Sequence, residues 1–502
     1  MKNATRKLEK SREFWLILCI TFFFFLLRIP SLFEPYWYGD EGIYETIGLA
    51  LTKGRVLYTQ IWDNKPPLLY YTYALVSGDQ FLIRLLSLII GIFTIIVFAF
   101  FAKTLLKKTS AVIISTSLFA VLFGLPMFEG NIANAENFML LPIITAALLV
   151  YRSLKTHLLK TTHYTLPTTH LFLAGFLLGI AFLYKIVAIF DFAAIFLFLV
   201  IYLTPTTLSY ANVQLFIKKN LRVFGGLLVG FLLPFILSVI FFALQGANGA
   251  YIQAIFLSTV GYVGHNNAFI IPQGLLITKL LLLGGFTTGI FLQRKKLPPA
   301  FIFIVLWVAF SLFSSFFSQR PYTHYLLVLI APLSLLGGLI FTSDPKKKII
   351  TTLLFILIAC VSVNFFDHWS LQKTRNYYTN FITFINGQKS MGDYYSFFDQ
   401  KAIRDDQLAH FINNRAGNDN SLFMWGNSAQ LYYLTRTLPP GRFTVAYHVS
   451  GVKPYLEETK LALKDQPRFI IILDNAPPYP FSMYNYQQIL KIHEANIYER
   501  SY

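Results

Sequence analysis

Two neighbouring acids and one lysine carry the clearest chemical pattern in this sequence. Asp40 and Glu41 directly follow the first long apolar segment, and Lys65 stands immediately before Pro66 and Pro67. A carboxylate can take a proton from a hydroxyl, and a lysine can stabilise a phosphate that gains charge. Because the acids lie beside an apolar segment, the pattern indicates chemistry at a lipid phosphate.

Lys65 is placed where its charge opposes the local helix. The two prolines after it are typical of a helix start, and the positive end of a helix disfavours a nearby cation. A bound anion would resolve that conflict, although prolines donate no N–H and only Leu68 onward can do so. The alternative is that the Lys65 side chain simply extends into water.

A short helix is predicted after Gly39. Ile43, Ile47 and Leu51 recur at a helical interval and Gly54 supplies a stop, so we expect an amphipathic helix along the outer membrane surface. Asp40 and Glu41 would lie at its start. Their alternative role is structural, with Asp40 as helix cap and Glu41 favoured by the helix dipole.

Other charged residues are weaker candidates. Glu136 would begin a span, where the helix dipole alone favours an acid, and Lys185 lies at a span's end, where a lysine can extend to the interface. Arg320 and His324 lie in a polar loop, which hosts such residues freely. Asp191 lies inside a span, and for it we expect pairing between helices.

A metal site is not specified by the sequence. Carboxylates and an imidazole from Asp40, Glu41, Glu136 and His324 could bind a hard divalent cation, with Asp40 and Glu136 the main candidates. No His or Cys spacing supports a defined site, so we expect no cofactor beyond such a cation. The chain also lacks a glycine-rich nucleotide motif, which favours a lipid-borne substrate over a nucleotide.

Composition identifies the class of protein. The 502 residues are 55% hydrophobic and only 13% charged, well below the roughly 25% charged residues of a globular chain. The sequence therefore predicts a polytopic α-helical membrane protein. The net charge of +18 comes from short basic clusters between apolar runs. Such clusters orient spans in a bilayer and build no continuous surface for nucleic acid, so nucleic-acid binding is not expected.

The positive-inside rule predicts the topology. Residues 171–203 form an apolar run too long for one span, and reading it as two spans broken near Lys185 keeps the basic clusters on one side. This gives about eleven spans in the cell membrane, with the N-terminus cytoplasmic and the C-terminus outside. The loop with Asp40, Glu136, Lys185 and Arg320 would then share the outer face.

Two domains are expected. Residues 1–366 would form the membrane domain, with the first outer loop at 34–80. Residues 367–502 are mixed polar and would form a small outer α/β domain. Within it, helices are predicted at 402–414 and 455–464, and buried strands at 422–425 and 469–473.

The order of short motifs resembles a known superfamily. Arg28-Ile29-Pro30, Tyr38-Gly39-Asp40-Glu41, Asn64-Lys65-Pro66-Pro67-Leu68 and Asn134-Ala135-Glu136-Asn137 are similar to motifs of the GT-C membrane glycosyltransferases. The resemblance is greatest to the bacterial branch with the aminoarabinose and protein O-mannosyl transferases. It covers about the first 200 residues well. Beyond them it rests on a C-terminal outer domain and on the run 320–325, which ends in His324-Tyr325.

The resemblance implies roles for individual residues. Asp40 matches the superfamily's first-loop catalytic acid and Glu41 its acidic neighbour, while Lys65 matches the lysine that contacts the lipid phosphate. Glu136 matches the second-loop acid, and a divalent cation bridging carboxylates to phosphate is compatible with the superfamily. The His324-Tyr325 pair matches a His-Tyr pair at a late span's outer end. Positive charge from Lys185 or Arg320 could assist Lys65.

The predicted function is therefore an inverting transfer of a sugar from a polyprenyl-phosphate donor to an acceptor hydroxyl at the outer face. The acceptor could be a protein, a lipid or a cell-wall glycan, and membrane lipids are the surrounding partners. A lipid or sugar transporter is the alternative, although the chain shows none of the repeats common in transporters. A membrane anchor for the outer domain is a third interpretation, disfavoured by so many spans.

Overall fold

The computed structural model describes residues 2–159, 168–205, 210–258, 276–317, 320, 322–342, 345–366, 371–417 and 419–501. Their contacts divide the chain into two compact units. The helical unit contains Met1–Ile29, Ser87–Ser238 and Thr259–Thr374, and the mixed unit contains Pro30–Leu86, Val239–Ser258 and Arg375–Tyr502. The boundary of the predicted outer domain falls at residues 367–370, which lie outside the described residues.

The α-helices up to the middle of the chain are α1 (Lys2–Arg28), α2 (Gly39–Thr52), α3 (Pro67–Ala74), α4 (Gln80–Leu106), α5 (Thr109–Gly124), α6 (Ala135–Leu159), α7 (Thr168–Tyr184), α8 (Ile189–Leu203), α9 (Tyr210–Leu244) and α10 (Asn248–Ile252). The later helices are α11 (Leu276–Gln293), α12 (Pro299–Ser315), α13 (Leu327–Leu339), α14 (Pro345–Phe366), α15 (Leu371–Ile385), α16 (Met391–Ser396), α17 (Gln400–Arg415), α18 (Gln430–Leu434), α19 (Ala446–Val449) and α20 (Lys453–Ala462). Short 3₁₀ turns include Pro126–Phe128, Ile186–Ala188 and Thr323–Leu326.

Among the described residues, six helical segments are long and apolar enough to cross a membrane, and five more segments are apolar but have 17 residues or fewer. The six are Arg12–Phe33, Gln80–Leu106, Ala135–Leu154, Ile186–Leu203, Asn220–Leu244 and Leu276–Gln293. The chain is therefore a membrane protein. Eleven spans and their orientation stay predictions, because the shorter segments are near the lower limit for a span. The predicted start of one span, residues 271–275, lies outside the described residues.

The predicted break near Lys185 is present in the helical unit. Helix α7 ends at Tyr184, Lys185 has an extended backbone with φ −156° and ψ 129°, and a 3₁₀ turn leads into α8. The expected pairing of Asp191 is confirmed as well. The indole Nε1 of Trp307 on α12 donates to Asp191 Oδ1 on α8 at 2.7 Å, and both side chains are buried. A buried carboxylate needs such a partner.

In the mixed unit, the predicted short helix is present as α2. It ends at Thr52, and Gly54 follows with φ +85°, a conformation that glycine adopts without strain. The predicted amphipathic character is wrong, because Glu41 to Ala50 are all buried. Helices α3 and α18 cover this helix. Thr46 Oγ1 donates to the carbonyl of Ala429, and a Cβ at Gly42 would lie 2.5 Å from Gln430 Oε1.

The mixed unit also contains a four-stranded sheet in the order β1-β2-β4-β3. Its strands are β1 (Leu422–Trp425), β2 (Phe469–Leu473), β3 (Tyr486–Ile492) and β4 (Ala495–Arg500). Strand β1 pairs with β2 in parallel, whereas β4 is antiparallel to both β2 and β3. The predictions of β1, β2, α17 and α20 are confirmed, and the β3–β4 hairpin was not predicted.

Candidate active site

Asp40 lies in the first turn of α2, but it does not cap the helix. The N-cap residue is Tyr38, and no side chain caps this end. Asp40 Oδ2 instead accepts a hydrogen bond from Tyr44 Oη at 3.0 Å and lies 3.4 Å from Lys65 Nζ. Its side chain is 38% exposed. The cap interpretation is therefore wrong for Asp40, and the carboxylate is accessible to a substrate.

Lys65 is fixed through its backbone immediately before α3. Its N–H donates to Tyr70 Oη at 3.1 Å, and its carbonyl accepts from Tyr58 Oη at 2.8 Å. Pro66 is the N-cap and Pro67 the first helical residue, as predicted. The ammonium lies 4.8 Å from the centroid of the Tyr44 ring. Two tyrosine hydroxyls therefore hold the backbone while the charged end remains near Asp40.

A second carboxylate, Asp63, also faces this lysine. Asp63 Oδ2 lies 3.7 Å from Lys65 Nζ and accepts from Tyr70 Oη at 2.7 Å. Asp63 Oδ1 accepts from the N–H of Asn64 at 2.7 Å and lies 3.6 Å from His448 Nε2. Sequence reasoning missed Asp63, although it stands in the same short run as Lys65. It also missed His448, which has no neighbouring motif to mark it.

Burial determines the protonation of the groups around these acids. Burial, followed by repulsion from Asp40 and Asp63, raises the pKa of Tyr44, and burial with the charge of Asp63 raises that of Tyr70. Both hydroxyls therefore remain donors. Burial lowers the pKa of His448 to about 4, against the attraction of Asp63, so this imidazole is neutral at pH 7. We call Asp40, Asp63, Lys65, Tyr70 and His448 the Asp40 cluster.

Glu41 points to a different partner. Its carboxylate pairs with Arg84 Nη2 at 2.5 Å, and Arg84 Nη1 lies 3.1 Å from Glu34 Oε2, with all three side chains buried. Tyr377 Oη donates to Glu34 Oε1 at 2.6 Å. This network ties the first loop to α4 and α15. The catalytic role of Glu41 stays a prediction. In the structure its carboxylate forms a buried ion pair with Arg84.

A second polar group of side chains lies in the helical unit. Lys185 pairs with Glu136, and the Lys185 ammonium lies 4.4 Å from the ring centroid of Tyr325. His324 Nδ1 lies 2.9 Å from Glu129 Oε2, and Thr323 Oγ1 donates to Glu129 Oε1 at 2.6 Å. We call Glu129, Glu136, Lys185, His324 and Tyr325 the Glu136 cluster. Four of its five residues were predicted as site residues.

Glu129 is the member of this cluster that the sequence did not reveal. It follows the 3₁₀ turn Pro126–Phe128 and has φ +56°, which is unusual for a residue other than glycine, asparagine or aspartate. Strained backbone at a polar cluster is a feature of functional sites. Arg320 is half-buried, and residues 318, 319 and 321 of its loop lie outside the described residues.

The metal candidates belong to different units. Asp40 lies in the mixed unit and Glu136 in the helical unit, and each carboxylate has a lysine beside it. Among the residues that the structure describes, no group of three His, Cys, Asp or Glu side chains could hold a metal ion. The metal candidates therefore stay predictions.

Comparison with solved structures identifies the fold. The chain resembles ArnT from Cupriavidus metallidurans bound to undecaprenyl phosphate, with 14% identity, a TM-score of 0.54, and coverage of 96% of this chain and 97% of ArnT. The apo state of the same protein matches with a TM-score of 0.54, covering 98% of each chain. No family model and no curated protein matches the sequence. These matches show that the chain shares the fold of this solved protein, as its motifs led us to expect.

Proposed function

We propose that this protein is a membrane glycosyltransferase that moves a sugar from a polyprenyl-phosphate donor to an acceptor hydroxyl, with inversion at the anomeric carbon. The observation that carries this proposal is the 3.4 Å approach of Lys65 Nζ to the partly exposed carboxylate of Asp40. A base and a phosphate-binding cation side by side are what such a transfer requires. The fold shared with ArnT, whose structure was solved with undecaprenyl phosphate, supports the lipid-phosphate donor.

In this reaction Asp40 takes the proton of the acceptor hydroxyl while the hydroxyl oxygen attacks the anomeric carbon. The bond between that carbon and the phosphate oxygen breaks, and its electron pair leaves with the phosphate. Lys65 stabilises the charge that develops on the departing phosphate. Attack from the side opposite the phosphate gives inversion. The proposal also includes the location of the protein in the plasma membrane and transfer to the acceptor at its outer face.

Tyr44 and Tyr70 support both roles. Tyr44 Oη donates to Asp40 and aligns its carboxylate, whereas Tyr70 Oη accepts from the backbone of Lys65. Burial raises the pKa of each tyrosine, so both hydroxyls keep their protons in these roles. Rigid positioning of this kind supplies much of the rate enhancement of enzymes.

The test is a transfer assay with purified protein and radiolabelled polyprenyl-phosphate sugars. We expect Asp40→Asn to lower kcat by about 10³-fold, in the range for loss of a general base. Lys65→Ala should lower it by about 10²-fold. The matched control is Lys53→Ala, which removes an exposed lysine just beyond the other end of α2, where Nζ donates to the carbonyl of Arg436.

Equal transfer by Asp40→Asn, Lys65→Ala and the native chain would show that the site is wrongly assigned. Loading labelled lipid into vesicles tests the transport alternative in parallel. If the native chain carries lipid across the membrane and consumes no donor of a broad panel, the protein is a transporter.

A further inference from the structure

Two carboxylates compete for one lysine in the Asp40 cluster, and they differ in accessibility. Lys65 Nζ lies 3.4 Å from Asp40 Oδ2 and 3.7 Å from Asp63 Oδ2. The side chain of Asp40 is 38% exposed, whereas that of Asp63 is only 3% exposed. A substrate can therefore approach Asp40, while Asp63 acts only on its protein neighbours.

Asp63 is held in place by the same residue that holds the backbone of Lys65. Tyr70 Oη donates to Asp63 Oδ2 and accepts from the N–H of Lys65. The N–H of Asn64 binds the other oxygen of Asp63. One tyrosine thus fixes the distance between the buried carboxylate and the lysine backbone, and the flexible ammonium is left between two acids.

His448, which also lies beside Asp63, carries no charge at pH 7. His448 is buried against Trp62, with ring centroids 5.0 Å apart, and its Nε2 lies 3.6 Å from Asp63 Oδ1. Because this imidazole is neutral at pH 7, the lysine offsets two carboxylates. Without Asp63, the ammonium would lose one of the two carboxylates that attract it and would be drawn more strongly to Asp40. A close Asp40–Lys65 pair would then compete with the donor phosphate for the lysine and with the acceptor hydroxyl for the base.

We propose that Asp63 is a positioning residue, which shares the ammonium of Lys65 with Asp40 and so keeps both Asp40 and Lys65 available to the substrates. This inference deepens the proposed transfer and rests on it for its effect on kcat. Its effect on phosphate binding does not depend on sugar transfer, because it concerns the affinity of Lys65 for a lipid phosphate.

The experiment compares Asp63→Asn, Lys65→Ala and the double variant by two measurements: binding of polyprenyl phosphate alone, and kcat and KM for transfer. Asp63→Asn should weaken polyprenyl-phosphate binding and lower kcat, each by about tenfold. In the Lys65→Ala background the same substitution should change binding no further. This non-additivity separates an effect through the lysine from a general structural effect.

The matched control is Asp79→Asn. Asp79 also accepts a hydrogen bond from a tyrosine hydroxyl, that of Tyr433 at 3.3 Å, in the same unit. We expect its substitution to leave binding and kcat close to native. Tyr70→Phe is a milder second variant, which keeps the ring and removes the hydroxyl shared by Asp63 and Lys65. It should reduce binding in the same direction and to a smaller extent.

The outcomes separate the two proposals. If Asp63→Asn, Tyr70→Phe and Asp79→Asn all bind and transfer like the native chain, the positioning role is wrong and the transfer stands. If Asp63→Asn weakens binding equally with and without Lys65, the positioning role is also wrong. If no sugar is transferred by the native chain while Asp63→Asn weakens lysine-dependent binding, the positioning role holds and the transfer is wrong.

Discussion

The two polar clusters are built from the same residue types but balance their charges differently. In the Asp40 cluster, one lysine lies between two carboxylates and the histidine is neutral at pH 7. In the Glu136 cluster, Lys185 pairs with Glu136 and His324 with Glu129. We expect a carboxylate that shares its cation, such as Asp40, to remain available to a substrate, and a buried carboxylate that pairs closely with a half-buried lysine, such as Glu136, to support the structure. On this basis we expect the Asp40 cluster to be the reactive site, a distinction that charge balance makes and residue type does not.

The largest expected difference concerns the free energy of unfolding after loss of each lysine. Lys185→Ala leaves the carboxylate of Glu136, only 2% exposed, without its ammonium. This should lower the free energy of unfolding by about 3–5 kcal/mol. Lys65→Ala should cost less, about 1–3 kcal/mol, because Asp40 contacts water and the buried Asp63 keeps its hydrogen bonds from Tyr70 and Asn64. Thermal unfolding of both variants in one detergent provides the measurement.

The control for this comparison is Lys185→Ala combined with Glu136→Gln, which removes the buried charge and should recover much of the lost stability. Equal destabilisation by Lys65→Ala and Lys185→Ala would contradict the distinction between the two clusters.

The neutral state of His448 in the Asp40 cluster should appear in the pH dependence of stability. Burial lowers its pKa from 6.5 to about 4, so between these values the unfolded chain binds a proton that the folded chain does not. The stability that the neutral imidazole allows is fully present above pH 6.5. As the pH falls from 6.5 through about 4, the free energy of unfolding decreases by about 3 kcal/mol. In His448→Gln, unfolding measured from pH 7.5 to 4 should depend less steeply on pH.

His410→Gln is the matched control for this pH series. His410 is exposed on α17, where it bonds Asn414, so its substitution removes an imidazole without disturbing a buried site. A His448→Gln variant with the native slope would mean that this imidazole is not held neutral by burial.

The smallest expected effects concern Glu129. Glu129→Ala removes the acceptor of His324 and Thr323 and should cost about 2 kcal/mol of unfolding free energy. Glu129→Gly removes the same acceptor but relieves the backbone at φ +56°, so it should cost about 1 kcal/mol less. Unfolding of the two variants side by side measures the strain. Equal stability of the alanine and glycine variants would show that the positive φ stores none.

The sequence predicted features that depend on neighbouring residues. Short segments were enough to predict β1 and β2 and the helix break at Lys185. A short segment also predicted that Lys65 directly precedes a helix that begins with prolines. The β3–β4 hairpin escaped prediction because Gln487, Gln488 and Lys491 interrupt its apolar pattern, and its turn uses His493 at φ +49° in place of glycine. A non-glycine turn gives little sequence signal.

The candidate site was predicted in part for the same reason. Asp40 and Lys65 were found from local motifs, and the structure brings them to 3.4 Å. The contact of Asp63 with His448 joins residues far apart in the chain, and neither has a spacing that marks it. The Glu41–Arg84 pair likewise joins α2 to the first turns of α4, across 43 positions of the sequence. Such partners follow from tertiary packing, which a single sequence does not encode in any short window.

The packing of α2 against α18 has a consequence for biosynthesis. Thr46 hydrogen-bonds a carbonyl 383 residues later in the chain. At about 5–20 residues per second, a ribosome needs roughly 20 to 80 seconds to translate that interval. During this time the loop with Asp40 and Lys65 has already emerged, but the residues of α18, which complete the burial of α2, have not been made. The nascent chain therefore spends most of its synthesis with the candidate site incomplete, and we infer that the Asp40 cluster takes its final form only when translation nears its end.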